Sequence, residues 1–223
     1  ANAVTGALRD GDPAEPAIFD RVIYTAVTAF SLCVDLWRPG SRKTPGTFFE
    51  VLIGSAARVA FPGYGLSKHI PIRDVQVRDA VDALVDTDEA EEAGDFSGDS
   101  VSTDLVVTNP ATGRGAVIPL KITTRERIVQ PFAHQRILDS ACPGRFASFV
   151  ACISEVQRDD QTQSVKQICV PGTIALFQKH LAKINGLYYC DVPRRYAADD
   201  FRTVIPVKRF HQLFEDISNH LRE

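Results

Sequence analysis

Residues 145 to 156 read RFASFVACISEV, an apolar run almost without interruption from Phe146 to Ile153. A strand with one face in water alternates apolar and polar side chains, whereas a strand covered on both faces has no need to. Covering both faces takes a layer on each side, so this run places the chain among folds in which helices sandwich a central sheet. Its neighbours supply the layers. RERIVQPFAHQRILDSA before it is helical at least from about Pro131, a residue well tolerated at a first helical position. After it, KQICV is a short strand, and Pro171-Gly172-Thr173 opens a helix to about Asn185, with Thr173 as N-cap and Gly186 as the stop. LYYCDVPRRY returns as strand and loop, and VKRFHQLFEDISNHL closes the chain as an amphipathic helix. The expected fold class is α/β, a central mixed sheet flanked by helices.

Upstream, helical spacing runs from about Ala17 to Trp37 and stops at Pro39-Gly40. A second helix spans about Thr47 to Ala60, with Glu50 in its first turn, and PGYGLS then breaks the pattern. From Ile70 to Val85 periodicity allows either a strand or a helix, and the acidic run DTDEAEEAGDFSGD that follows reads as a solvated loop. At 223 residues the chain is long enough for one compact domain, read as 1–223 with an N-terminal helical part, 1–45, and a core, 46–223.

Two strand-like runs, Val101 to Thr108 (VSTDLVVT) and Ala116 to Ile122 (AVIPLKI), are separated by the turn-rich NPATGRG and form a hairpin. Leu105, Val107, Ile118, Leu120 and Ile122 share a buried face, leaving Asp104, Val106, Pro119 and Lys121 on the other. If Thr108 stands opposite Val117, antiparallel register puts Asp104 opposite Lys121.

Several functions are excluded or weakened. The five cysteines lie far apart without a CxxC, and the five histidines form no ligand pair, so neither a zinc site nor a disulfide framework is expected. No apolar stretch reaches the roughly 18 residues of a membrane helix, and no signal-peptide pattern opens the chain, so a cytoplasmic protein is expected. PGYGLSKH lacks a phosphate-cradling pattern, and no GxSxG is present. With no methionine even at residue one, the chain is expected to be a processed or excised portion of a longer polypeptide. The net charge of −3 hides a contrast: from Arg114 to Arg136 the only acid among five basic residues is Glu126.

A carboxylate and an ammonium on adjacent strands suit phosphodiester cleavage, in which a divalent cation on oxygen ligands and a lysine together stabilise charge on the transferring phosphoryl group. Asp104 and Lys121 are the candidates, with Glu50 as a second carboxylate. Two plainer readings stay open, a cross-strand salt bridge for Asp104 and Lys121 and a helix-dipole role for Glu50. Arg194, Arg195 and Tyr196 form a loop that suits phosphate contact or plain solvation.

STD before the hairpin, PLK after it, then Thr-x-Arg-Glu-Arg and a helix containing Gln135 together resemble the PD-(D/E)xK nucleases, within them type II restriction endonucleases of the EcoRII and NgoMIV group. The resemblance covers roughly Glu50 to Ile153. It implies that Lys121 is the catalytic lysine, Thr123 the threonine that follows it, and Arg125, Glu126 and Arg127 the base readers. Arginine can bond guanine O6 and N7, and glutamate can accept from cytosine N4, which fits a target with C and G pairs. A solvent-facing turn with internal ion pairs is the plain alternative for these three.

The usual acid two residues before the lysine is replaced by Pro119. The related group places a glutamate on the next helix, where this chain has His134 and Gln135. Glutamine supplies a neutral oxygen without charge, so Glu50 or Gln135 completes the coordination begun by Asp104, or Gln135 instead positions the helix or the lysine while Glu50 supplies the charge. The implied activity is Mg2+-dependent, sequence-specific cleavage of double-stranded DNA by a homodimer at a palindrome, paired in its host with a methyltransferase. A cleavage-deficient DNA-binding module and a structure-selective repair nuclease of the same fold are the rivals.

Overall fold

The computed structural model describes residues 16–40, 43–72, 100–124, 127–158, 161–162 and 164–223. The run left between strand and helix beyond residue 72, the acidic run, Arg125 and Glu126 lie outside the described residues.

Two helices open the chain, α1 (Pro16–Trp37) and α2 (Thr44–Ala60). Phe19, Ile23 and Val27 of α1 recur at fourfold spacing and are buried, as are Phe49, Ile53, Ala56 and Ala57 of α2. α2 begins at Thr44 with Pro45 in its first turn, three residues earlier than the spacing suggests, and this moves Glu50 out of the first turn.

The sheet is mixed. β1 (Gly65–Pro71), β2 (Ser100–Thr108) and β3 (Gly115–Val117) are antiparallel neighbours. β3 and β4 (Leu120–Lys121) both run parallel to β5 (Phe146–Cys152), which is followed outward by β8 (Gly186–Tyr189) and β9 (Val207–Arg209), also parallel. Between β5 and β8 lie β6 (Val156–Arg158) and β7 (Val165–Gln167), a separate two-stranded ribbon, with α3 (Val129–Ala141) before β5 and α4 (Pro171–His180) after β7. The turn between β2 and β3 depends on Gly113, whose φ of 70° lies in the left-handed region and whose N–H donates to Asn109 O at 2.8 Å.

β5 is covered on both faces, as its apolar run requires. Phe149, Ala151 and Ile153 pack with α1, α2 and the last helix, α6 (Leu213–Arg222), while Val150 and Cys152 pack with Phe132 of α3, Ile174 of α4 and Tyr189. Each large apolar side chain so buried stabilises the fold by roughly 1.5–3 kcal/mol.

The C-terminal third departs from the expected elements. α4 ends at His180, not near Asn185, and Gly186 opens β8 instead of stopping a helix; Val170, not Thr173, is the N-cap residue. Only Val165–Gln167 of the KQICV region is strand. The last amphipathic run begins as β9, passes through a 3-10 turn at Phe210–Gln212 and becomes α6 only at Leu213, after a short α5 (Asp199–Val204) with no sequence counterpart. Val207 and Phe210 face the core on opposite sides of the sheet, which a single helix face cannot arrange.

Candidate active site

The hairpin divides where proline interrupts it. β2 and β3 pair Val106 with Val117 and Thr108 with Gly115, two residues away from the expected register, so continued pairing would set Asp104 opposite Pro119. Pro119 has no N–H to continue the ladder. Ile118 N donates to Leu105 O at 2.8 Å, after which the chain swings to β5, with Ala151 N reaching Pro119 O at 2.9 Å and Ile153 N reaching Lys121 O at 3.2 Å.

The Asp104 carboxylate fills the opening. Its Oδ2 accepts from Leu120 N at 2.7 Å and from Lys121 Nζ at 2.9 Å. The two side chains therefore meet at a branch in the sheet, not across a continuous ladder, and the expected register is corrected accordingly. Side-chain exposures of 14% for Lys121 and 21% for Asp104 shelter the pair from solvent screening while leaving one side open.

That open side is a cleft of about 210 Å³ whose lining includes Ser102, Asp104, Pro119, Lys121, Gln130 and His134. Burial, and then the Lys121 ammonium, hold the His134 imidazole below its ordinary range against the opposing pull of Asp104. His134 faces the cleft from α3. Gln135 turns elsewhere: its Nε2 donates to Asp139 Oδ1 at 2.7 Å and to Phe146 O at 3.0 Å, and its buried Oε1 has no partner among the described residues. It ties α3 to β5 and is not brought to Asp104.

Asp104 also borders a second cleft, of about 390 Å³, together with Glu50, Arg58 and Lys68. Glu50 Oε2 accepts from Lys68 Nζ at 2.8 Å. Since Glu50 lies beyond the first turn of α2, the helix dipole does not account for it, and it shares a cleft wall with the acid it was matched to.

The segment after Lys121 is held at both described ends. Thr123 is half-buried; Thr124 and Ile128 are buried, Arg127 is exposed, and Arg127 N donates to Thr124 O at 3.0 Å. Thr124 is itself held by Glu155, a residue absent from the sequence-based candidates. Glu155 is 1% exposed and accepts from Thr124 N at 3.0 Å, from the Thr124 hydroxyl and from the Tyr189 hydroxyl at 2.9 Å. Burial pushes its carboxyl up while these donors pull it down. The available signal was a lone acid three residues after an almost continuously apolar strand, a position that demands partners.

Of the other loop considered, Arg194 and Arg195 are exposed, but Tyr196 is fully buried with its hydroxyl accepting from Val170 N at 2.8 Å. Tyr196 therefore belongs to the core and not to a phosphate-contacting surface.

No three histidine, cysteine or acidic side chains converge among the described residues. Asp104 and Glu50 on one cleft still fit Mg2+, which takes hard oxygen donors, keeps several waters and is often held by one or two carboxylates plus substrate phosphate. No described helix is long and apolar enough to cross a membrane.

No family model and no curated protein matches the sequence. Among solved structures, the chain is similar to the crystal structure of the type IIP restriction endonuclease Kpn2I, at 44% identity and a TM-score of 0.78 over 99% of this chain and 70% of that one. A complex of restriction endonuclease PspGI with substrate DNA also matches, at 11% identity and a TM-score of 0.47 over 92% of this chain and 75% of that one, too distant to carry an argument.

Proposed function

The chain belongs to the type II restriction endonucleases, and from that premise we propose that it hydrolyses phosphodiester bonds of double-stranded DNA with Mg2+ at a short palindrome containing C and G. The observation that carries this reading is the Asp104–Lys121 pair, 2.9 Å apart at the branch of the sheet and open to a cleft. Asp104 and Glu50 would hold Mg2+, which supplies charge stabilisation on the transferring phosphoryl group and an activated water. Lys121 is held by Asp104 within reach of that charge and offsets it as it develops. The bond from Leu120 N fixes Asp104 before substrate arrives, so little reorganisation remains.

Thr123, Arg125, Glu126 and Arg127 are proposed to meet the major groove, with Arg127 exposed beside an anchored backbone. A homodimer matches a palindromic target, and a methyltransferase with the same site preference would protect the host DNA. A cytoplasmic setting agrees with this. Gln135 is assigned the role of holding α3 on β5 and not of a metal ligand.

The test is incubation of plasmid DNA with the protein and Mg2+ or Mn2+. Discrete fragments with constant ends support the endonuclease. Retarded but uncut DNA would instead favour a cleavage-deficient binding module, the reading that Pro119 in place of an acid invites. Preference for flaps or junctions would point to a repair nuclease.

Arg127→Ala is expected to reduce discrimination between the preferred sequence and its single-pair variants by about 1–3 kcal/mol, the value of one good arginine–guanine contact. Competition binding on duplexes altered one pair at a time measures it. An equal loss of affinity for every sequence would reassign Arg127 to phosphate contact.

A further inference from the structure

The Glu155 cluster is placed too close to the base-reading segment, and built at too high a cost, to be an ordinary core contact. Replacing a buried carboxylate and its partners by apolar groups of similar volume is often neutral or stabilising. This carboxylate instead spends two acceptor atoms on one residue: Thr124 N lies 3.0 and 3.2 Å from Oε1 and Oε2, and the Thr124 hydroxyl also donates to Oε1. Tyr189, 0% exposed on β8, donates to the same Oε1 at 2.9 Å and keeps the carboxylate from turning. The backbone joins as well, with Ser154 N donating to Ile122 O at 3.2 Å. At the far end Ile128, 3% exposed, is sunk in the core between α3, β5 and β8.

We propose that Glu155 is a positioning residue for sequence discrimination, clamping Thr124 directly beside residues 125 to 127, which are proposed to read the bases. This rests on the reading of those three residues as base readers. Recognition by bidentate bonds needs that fixity, because a displacement of about 1 Å breaks the fork geometry of arginine on guanine. Glu155 does not line the cleft of Asp104 and Lys121, so its effect falls on choice of sequence more than on the chemical step.

The experiment cuts a random-sequence duplex pool with Mg2+ and sequences the product ends. Its readout is the ratio of cutting at the preferred sequence to cutting at single-pair variants. Thr124→Val, nearly isosteric, is expected to lower the ratio roughly tenfold, and Glu155→Ala at least as much. Glu155→Gln keeps an oxygen where Oε1 stands and is expected to recover most of it. Asp216→Asn serves as control: it disrupts the cluster in which Tyr188 and Lys208 donate to Asp216, on the other face of β8, and is expected to lower the melting temperature without changing the ratio.

A wild-type ratio in Thr124→Val, or an equal drop in Asp216→Asn, overturns the proposal. If wild-type protein cuts nothing, the nuclease reading fails by itself. The duplexes it retains from the same pool then give the ratio as binding, where a preference lost in Thr124→Val supports the clamp, and either a preserved preference or none in the wild type overturns it.

Discussion

Lys121→Ala is expected to lower the single-turnover cutting rate by about 10²–10³-fold, the usual loss when one preorganised charge-stabilising group is removed, while binding of the preferred duplex stays close to wild type. The two effects separate because the two halves of the site are anchored independently. Lys121 Nζ bonds Asp104 across the branch of the sheet, whereas the segment proposed to read bases hangs from Glu155 at the end of β5 and from the buried Ile128. Asp104 does not lose its whole setting in the variant, since Leu120 N still donates to it at 2.7 Å. Cleavage measured with enzyme in excess, beside a gel-shift titration on the same duplex, checks both halves. Cutting at the wild-type rate removes the lysine from the mechanism. A parallel loss of rate and binding makes it a structural residue or a phosphate anchor.

The fold was legible where periodicity and burial agree. The nearly unbroken apolar run at Phe146 to Cys152 marks the central strand, and Phe19, Ile23 and Val27 mark the first helix, because in both cases one simple pattern decides which faces are covered. It was not legible at Val207 to Leu221. There the helical spacing of Leu213, Phe214, Ile217 and Leu221 extends by chance through Phe210 into residues that the parallel pairing with β8 claims as strand. Pairing with a distant strand leaves no mark in local sequence.

The site was legible in its members more than in its geometry. Asp104 and Lys121 meet, though by another route than a continuous hairpin: the missing N–H of Pro119 ends the ladder two residues early, and a side chain replaces the backbone acceptor. The same proline that removes the usual acid opens the branch where the remaining one sits. The resemblance offers His134 and Gln135 at about one place on the helix, with Gln135 as a ligand or as a residue that positions the helix; on α3 one position is a rotation of about 100°, so His134 faces the cleft and Gln135 faces β5. Glu155 gave almost no local signal, because its partners Thr124 and Tyr189 are 31 and 34 residues away.

Asp104→Asn is expected to be the more damaging substitution, since it strikes three functions at one atom. A neutral amide loses the charge that would hold a divalent cation. Its NH2 group, wherever it faces Lys121, sets a donor against an ammonium that has no acceptor of its own. Because Leu120 N donates to the same Oδ2, an NH2 group at that position also leaves the branch without its acceptor, whereas the opposite amide orientation keeps both bonds and loses only the charge. Breaking the ion pair should cost on the order of 1–2 kcal/mol of stability, below the 3–5 of a fully buried pair because both side chains retain some exposure. Cutting is expected to be undetectable with Mg2+, and Mn2+ binding by calorimetry to weaken more than tenfold, more than 1.4 kcal/mol. Glu50→Gln gives the contrast. If both acids serve the same cation across their shared cleft, it weakens Mn2+ binding as well while leaving Lys121 paired and the melting temperature nearly unchanged. Mn2+ affinity that survives Asp104→Asn would sink the assignment of this carboxylate as a ligand, and affinity that survives Glu50→Gln alone would confine Glu50 to its ion pair with Lys68.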